Sequence, residues 1–182
     1  MADLTTLAAV KAYGSITGTE LDTLLGALIT RASAAIENFL QGAVLSASYT
    51  ETRNGTGATA LLLSEYPVTA VSSLSVDGIP IPAATAYGQP GWWLADRTVL
   101  LFGYRFTRGR GNVLVTYTAG FATTPPDIEQ ACIETVMLAL KRRDHIDVSS
   151  KSLAGETISF ITAELTPSAK QVLGAYRRVA PL

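Results

Sequence analysis

The sequence predicts an α+β fold: a small helical bundle, of about four helices, carrying an inserted antiparallel β-sheet region. Three observations carry it. Apolar residues recur at helical spacing near the start of the chain and again after residue 125. Between residues 44 and 119 that spacing disappears, and short Val-, Thr-, Leu- and Tyr-rich runs alternate with Gly, Pro, Asn and Asp. The length of 182 residues favours one domain, organised as a helical core (4–42 and 125–178) with a β-rich insertion (44–119).

Taken in order, Asp3 can cap a first helix from Leu4 to Tyr13, ended by Gly14. The second helix has the stronger pattern. Thr17 and Thr19 are candidate caps, and Glu20 and Asp22 supply negative charge where the helix dipole favours it. Leu21, Leu24, Leu25, Leu28, Ile29, Ala32, Ile36, Phe39 and Leu40 then follow at helical spacing, with Gly42 as the stop. The small residues Ala32 to Ala35 would let another helix approach closely.

Strands are expected over Ser46–Arg53, Ala58–Leu63, Val68–Val76, Ile79–Ile81, Trp92–Leu94, Thr98–Leu101 and Asn112–Thr118. Asn54-Gly55 and Asp77-Gly78 are hairpin-type turn signals. Arg108 to Asn112 lacks the Gly-Lys-Ser/Thr signature of a phosphate loop and is expected to be a flexible hairpin tip. The third helix opens at Thr124-Pro125-Pro126-Asp127, with Thr124 as cap and Lys141, Arg142 and Arg143 at its cation-favouring end. A polar connection (144–157), a brief strand (158–161) and a last helix from Pro167 to Arg178 complete the chain.

Composition bounds the function. Hydrophobic residues make up 48% and charged residues 16%, with mean hydropathy +0.27, which excludes a disordered chain. Such low charge also suits a protein that hides part of its surface in an oligomer. Net charge is -1, but residues 1–100 hold four basic and eight acidic side chains and residues 101–182 hold ten and seven. The single cysteine, Cys132, excludes an internal disulfide and a multi-thiolate metal site, and suits a reducing cytoplasm. The opening Met1-Ala2-Asp3-Leu4 lacks the form of a signal peptide, and no apolar run is long enough to span a bilayer, so no membrane association is expected.

No catalytic, cofactor or metal site is expected. The lone histidine, His145, sits beside Asp144, Asp147, Ser149 and Ser150 in one polar loop, which is not how a triad is assembled. Glu129 and Glu134 lie five apart on one helix and face different ways. Trp92, Trp93 and Tyr87 read as aromatics of a half-buried sheet, and Cys132 as a small buried hydrophobe. An interaction protein is the natural inference.

A role comes from resemblance. Val115-Thr116-Tyr117-Thr118-Ala119-Gly120, the turn to Pro125-Pro126-Asp127, and Ile128-Glu129-Gln130-Ala131 resemble the head–tail connector (adaptor, head completion) family of long-tailed phages. The stretch Val148 to Phe160, the helix Leu21 to Leu40, and Tyr49, Arg53 and Leu63 to Val68 are similar to further pieces of that family. The chain departs from it in a large β region over residues 77–113. The resemblance implies a structural virion subunit, not an enzyme, assembled in the host cytoplasm and placed at the head–tail interface. About a dozen copies would form a ring under the portal protein, extend the DNA channel, and dock the stopper or tail-completion protein. Channel DNA would be touched transiently and without sequence preference. The implied contacts with neighbours or portal are Val148, Ser149, Lys151, Leu153, Phe160, Leu173, Tyr176, Arg177 and Arg178. Arg105, Arg108 and Arg110 would face channel DNA or a neighbour. Two alternatives stay open: a nucleic-acid-binding module using residues 105–110 and the 141–143 cluster, and a hydrolase built on Asp144, His145 and Ser149.

Overall fold

The computed structural model describes residues 2–143, 150–153, 156–159 and 165–177. The described elements are four helices and nine strands in two units, a helical one (Met1–Val44 with Thr124–Val179) and a β one (chiefly Leu45–Thr123).

In the helical unit, α1 spans Leu7–Gly14, α2 Asp22–Leu40, α3 Pro126–Arg142 and α4 Pro167–Gly174. The first cap is Thr6, whose Oγ1 accepts from the Ala9 amide at 3.2 Å, and not Asp3. The reason lies just upstream. Leu4 is buried, and its amide donates to Ser33 Oγ at 2.9 Å, so the first residues are held against α2 before the helix starts. Helix α2 begins without a side-chain cap; its first residue, Asp22, instead pairs with Lys11 at 2.6 Å. Its left-handed stop is Gln41, one residue ahead of the expected Gly42, whose amide closes onto the Glu37 carbonyl. Pro125, not Thr124, takes the cap position of α3, and Asp127 accepts from the Ile128 amide at 3.0 Å. Helix α4 stops at Gly174, four residues short of expectation; Thr166 caps it.

Leu25, Ile29, Ala32, Ile36, Ile128, Ala131, Cys132 and Val136 are buried along α2 and α3 and form the core of this unit. The small stretch of α2 does what its size allows. Ser33 reaches Cys132 Sγ at 3.7 Å, which requires close helix approach. Burial pushes the Cys132 thiol up to about 11, so it is a packing group at neutral pH. Among the described residues, the remaining regular structure of this unit is a hairpin that forms a sheet of its own, β8 (Ser150–Leu153) with β9 (Glu156–Ser159). It lies partly within the segment expected to be a plain connection.

The β unit holds two sheets. β1 (Ala47–Gly55), β7 (Gly109–Ala119), β3 (Val68–Val76) and β4 (Ile79–Pro80) lie in the order β1-β7-β3-β4. β2 (Ala60–Leu62), β6 (Thr98–Phe102) and β5 (Gly91–Ala95) form a second, in the order β2-β6-β5. All the strand pairings are antiparallel. Central β7 alternates buried Val113, Val115, Tyr117 and Ala119 with Leu114, Thr116 and Thr118, the period-two pattern of a half-buried strand. The core joins these to Leu63, Leu74, Val99, Leu101 and Phe106, with Trp92 packed against it.

Asp77-Gly78 is the expected hairpin turn, both residues at positive φ (53° and 78°) between β3 and β4. Asn54-Gly55 is not a turn. β1 runs through it, Gly55 pairs with Gly109, and Asn54 Oδ1 accepts from the Gly111 amide at 2.7 Å. β1 therefore pairs with distant β7, and β2 joins the other sheet. The Arg108–Asn112 stretch is not a free tip either, since β7 starts at Gly109. Asn112 fixes it, donating to Asp77 Oδ1 and the Thr107 carbonyl, each at 2.9 Å, and accepting from the Gly55 amide at 2.8 Å.

Candidate assembly surfaces

Each residue expected at an interface can be placed by what its side chain already does. Leu173 is fully buried in the helical unit. Its side chain packs inside its own unit. Tyr176 Oη donates to Asp127 Oδ2 at 2.7 Å, and the Arg177 guanidinium lies 5.7 Å from the Phe39 ring centroid. Both tie the end of α4 to α3 and α2 while remaining partly or fully exposed. The acceptor Asp127 favours the protonated phenol and raises the Tyr176 pKa. Lys151 and Leu153 lie on β8, where Lys151 is opposite Ile158 and Leu153 opposite Glu156. Val148, Ser149, Phe160 and Arg178 lie outside the described residues, as do Asp144 and His145.

Of the three arginines expected to face channel DNA or a neighbour, Arg105 Nη1 donates to the Gly57 carbonyl at 3.5 Å and Arg108 Nε to the Thr56 carbonyl at 3.4 Å. Both hold the neighbouring 56–57 loop. Arg110 is exposed on β7.

A surface not expected from the sequence lies on the helical unit. Leu24, Leu28, Ala139 and Leu140 floor an open groove of roughly 300 Å³, rimmed by Arg31, Arg142 and Arg143. It continues along Ala32 and Ala35. The sequence signal was present in two halves, the alanines of α2 and the basic end of α3, but nothing in one dimension says they share a groove. Apolar floors with cationic rims suit contact with another macromolecule, because arginine is tolerated at interfaces where lysine is not.

Among the described residues no group of three or more His, Cys, Asp or Glu side chains could hold a metal ion. No described helix is long and apolar enough to cross a membrane.

Comparison with known proteins follows this geometry. No curated protein sequence matches the chain. Among solved structures, the chain is similar to one in the neck of an empty GTA particle, computed with C6 symmetry. That match has TM-score 0.62 at 20% identity and covers 97% of this chain and 90% of that one. A second similar chain is in the neck of a native GTA particle computed with C12 symmetry, with TM-score 0.56, 20% identity and coverage of 100% and 96%. A third is in the virion of a native gene transfer agent, with TM-score 0.54, 20% identity and coverage of 91% and 82%. At that identity the likeness establishes the fold. The family model described as head completion protein matches residues 3–179, nearly the whole sequence, and the chain therefore belongs to the head completion protein family.

Proposed function

We propose that this chain is the structural subunit of a head–tail connector ring at the neck of a tailed phage or phage-like particle. The observation that carries the reading is the head completion match across residues 3–179. The fold shared with neck chains of particles computed with C6 and C12 symmetry supports a ring of about a dozen copies. The ring sits under the portal, extends the DNA channel, and offers its far side to the stopper or tail. It works without catalysis: weak contacts between neighbours add up once the ring closes, because each later contact is intramolecular.

The exposed Arg177 and the basic rim of the α2–α3 groove are the contacts we assign to neighbours or portal. Arg110 is the described basic side chain of the β unit that we assign to channel DNA or a neighbour. Contact with DNA is transient, since phosphate binding strong enough to hold would stop sliding. The test is negative-stain imaging of the purified protein alone and mixed with its portal. Rings stacked on portal are expected. Protein that stays monomeric in both samples overturns the reading, and a gel shift that weakens steeply with salt in that monomer would favour a nucleic-acid module instead.

A further inference from the structure

Two incomplete β elements stand in this chain. The first is the outer edge of β1. Nine residues, Ala47–Gly55, pair with β7 on one side, and among the described residues no backbone group pairs with the other. Burial agrees with an edge position: Tyr49, Glu51 and Arg53, which face the core side, are half-buried, whereas Val113, Val115 and Tyr117 of β7 are fully buried. The other sheet edges are short, covered or irregular: β4 pairs with β3 only at Ser75 and Val76, and the stretch of β3 that it leaves open carries two register shifts, at Val68/Ala70 and Val71/Ser73. β4 is two residues long and contains Pro80, β2 is three residues long, and β5 is covered by residues 82–84 through Trp92 N to Pro82 O and Ala84 N to Trp92 O, both 2.9 Å. β1 carries no proline and no lysine, and Ser48, Thr50 and Thr52 on its exposed face are uncharged; its charged Glu51 and Arg53 pair with each other on the core side, and its register shift is confined to the far end, between Arg53 and Gly55. A long edge of that kind is a template for another strand.

The second element is the β8–β9 hairpin. Two four-residue strands form a sheet of their own among the described residues. A lone two-stranded hairpin is marginal in water, and a third strand or a packed face is what stabilises it.

We propose that the two deficits answer each other between copies: the β8–β9 hairpin of one subunit adds to the β1 edge of the next. The four-stranded sheet of each copy then extends to six, about half of the nine-residue edge gains backbone partners from a four-residue strand, and the contact runs head to tail, the geometry that closes a ring. Backbone pairing needs no charged side chain, in keeping with a chain only 16% charged. The inference rests on the ring reading above and names how the ring is held.

The experiment is disulfide trapping in the full chain, with Ser48→Cys, Thr50→Cys or Thr52→Cys combined in turn with Lys151→Cys, Leu153→Cys, Thr157→Cys or Ser159→Cys. Native Cys132 is buried and stays out of the reaction. At least one pair is expected to give a ladder from dimer to closed ring on a non-reducing gel, under conditions where imaging shows rings. In the unsubstituted protein, amide exchange over 47–55 and 150–159 is expected to slow together on assembly, by about tenfold or more. Rings that form with no trapped pair and no protection at either segment overturn the pairing and leave the connector reading standing. Disulfides that close within single chains overturn it too. Failure to form any ring, alone or with portal, overturns both.

Discussion

The buried hydroxyl of Tyr117 donates a hydrogen bond to the carboxylate of Glu51, a residue 66 positions earlier on the neighbouring strand. The same phenol oxygen accepts from the Glu65 amide at 3.1 Å, and Glu51 also receives Arg53 Nε at 2.8 Å and the Ser64 amide at 3.2 Å. The Tyr49 ring stacks against Tyr117, with centroids 5.8 Å apart. One phenol thus ties β1, β7 and the 64–65 segment together. Tyr117→Phe keeps the ring and removes the knot, taking this acceptor from the Glu65 amide and one of its donors from Glu51. The expected loss is about 1–3 kcal/mol. A chain of this size would show it as a melting point lowered by about 2–4 °C per kcal/mol. An unchanged melting curve would mean that water replaces the hydroxyl at no cost.

The same contact sets a pH dependence. Burial, then the Glu51 hydrogen bond and charge, raise the Tyr117 pKa well above its ordinary 10.0. Unfolded chain loses this proton near pH 10 while folded chain keeps it, so the unfolded state binds fewer protons and stability falls as pH rises further. Below the unfolded value the contribution is complete. Melting points are therefore expected to drop from about pH 9 to about pH 11, and less steeply in Tyr117→Phe. Tyr176, raised in the same direction by Asp127, supplies part of the residual slope.

Two glycines are expected to respond in opposite directions to alanine. Gly120 sits at φ 111°, and a Cβ there would lie 2.6 Å from the Leu45 carbonyl oxygen and 2.7 Å from its carbon, both backbone atoms that cannot step aside. Gly120→Ala is expected to destabilise by at least about 1–3 kcal/mol through strain alone. Gly26 lies within α2 with nothing within 4 Å of a built Cβ. Gly26→Ala is expected to stabilise by about 0.5–1 kcal/mol, the ordinary gain of alanine over glycine in a helix. Chemical denaturation of the two variants beside the parent chain checks both signs.

The same distinction between local and distant causes decides what the sequence makes legible. The span of β3, the Asp77-Gly78 turn and the apolar stripe of α3 depend on period and local turn chemistry, and the structure has them where the pattern puts them. Asn54-Gly55 misleads because its turn chemistry is overridden from far away: Gly109, Gly111 and Asn112 supply the partners that carry β1 on through it, with a register shift between Arg53 and Gly55. Thr6 displaces Asp3 as a cap for a similar reason, since Leu4 is already held by Ser33 across 29 residues. The α2–α3 groove is a product of packing: each helix carries half of its signal, and neither half says that the two meet. Leu173 and Arg177 both read as interface residues, and the sequence cannot say which of them faces inward.

Separating those two residues separates folding from assembly. Leu173→Ala empties a fully buried site and is expected to cost about 2–5 kcal/mol, visible as a lowered melting point of the free protein. Arg177 is exposed and holds Phe39 by a surface cation–π contact, worth about 0.5–1 kcal/mol at such a site. Arg177→Ala should therefore melt within a few degrees of the parent. If Arg177 meets a neighbour or the portal, that variant is expected to lose ring formation at concentrations where Leu173→Ala, kept below its own melting point, still assembles. Sedimentation velocity across a concentration series reads both. Equal assembly by the parent chain and Arg177→Ala would remove the end of α4 from the contact surface and leave the interface to the groove and the β elements.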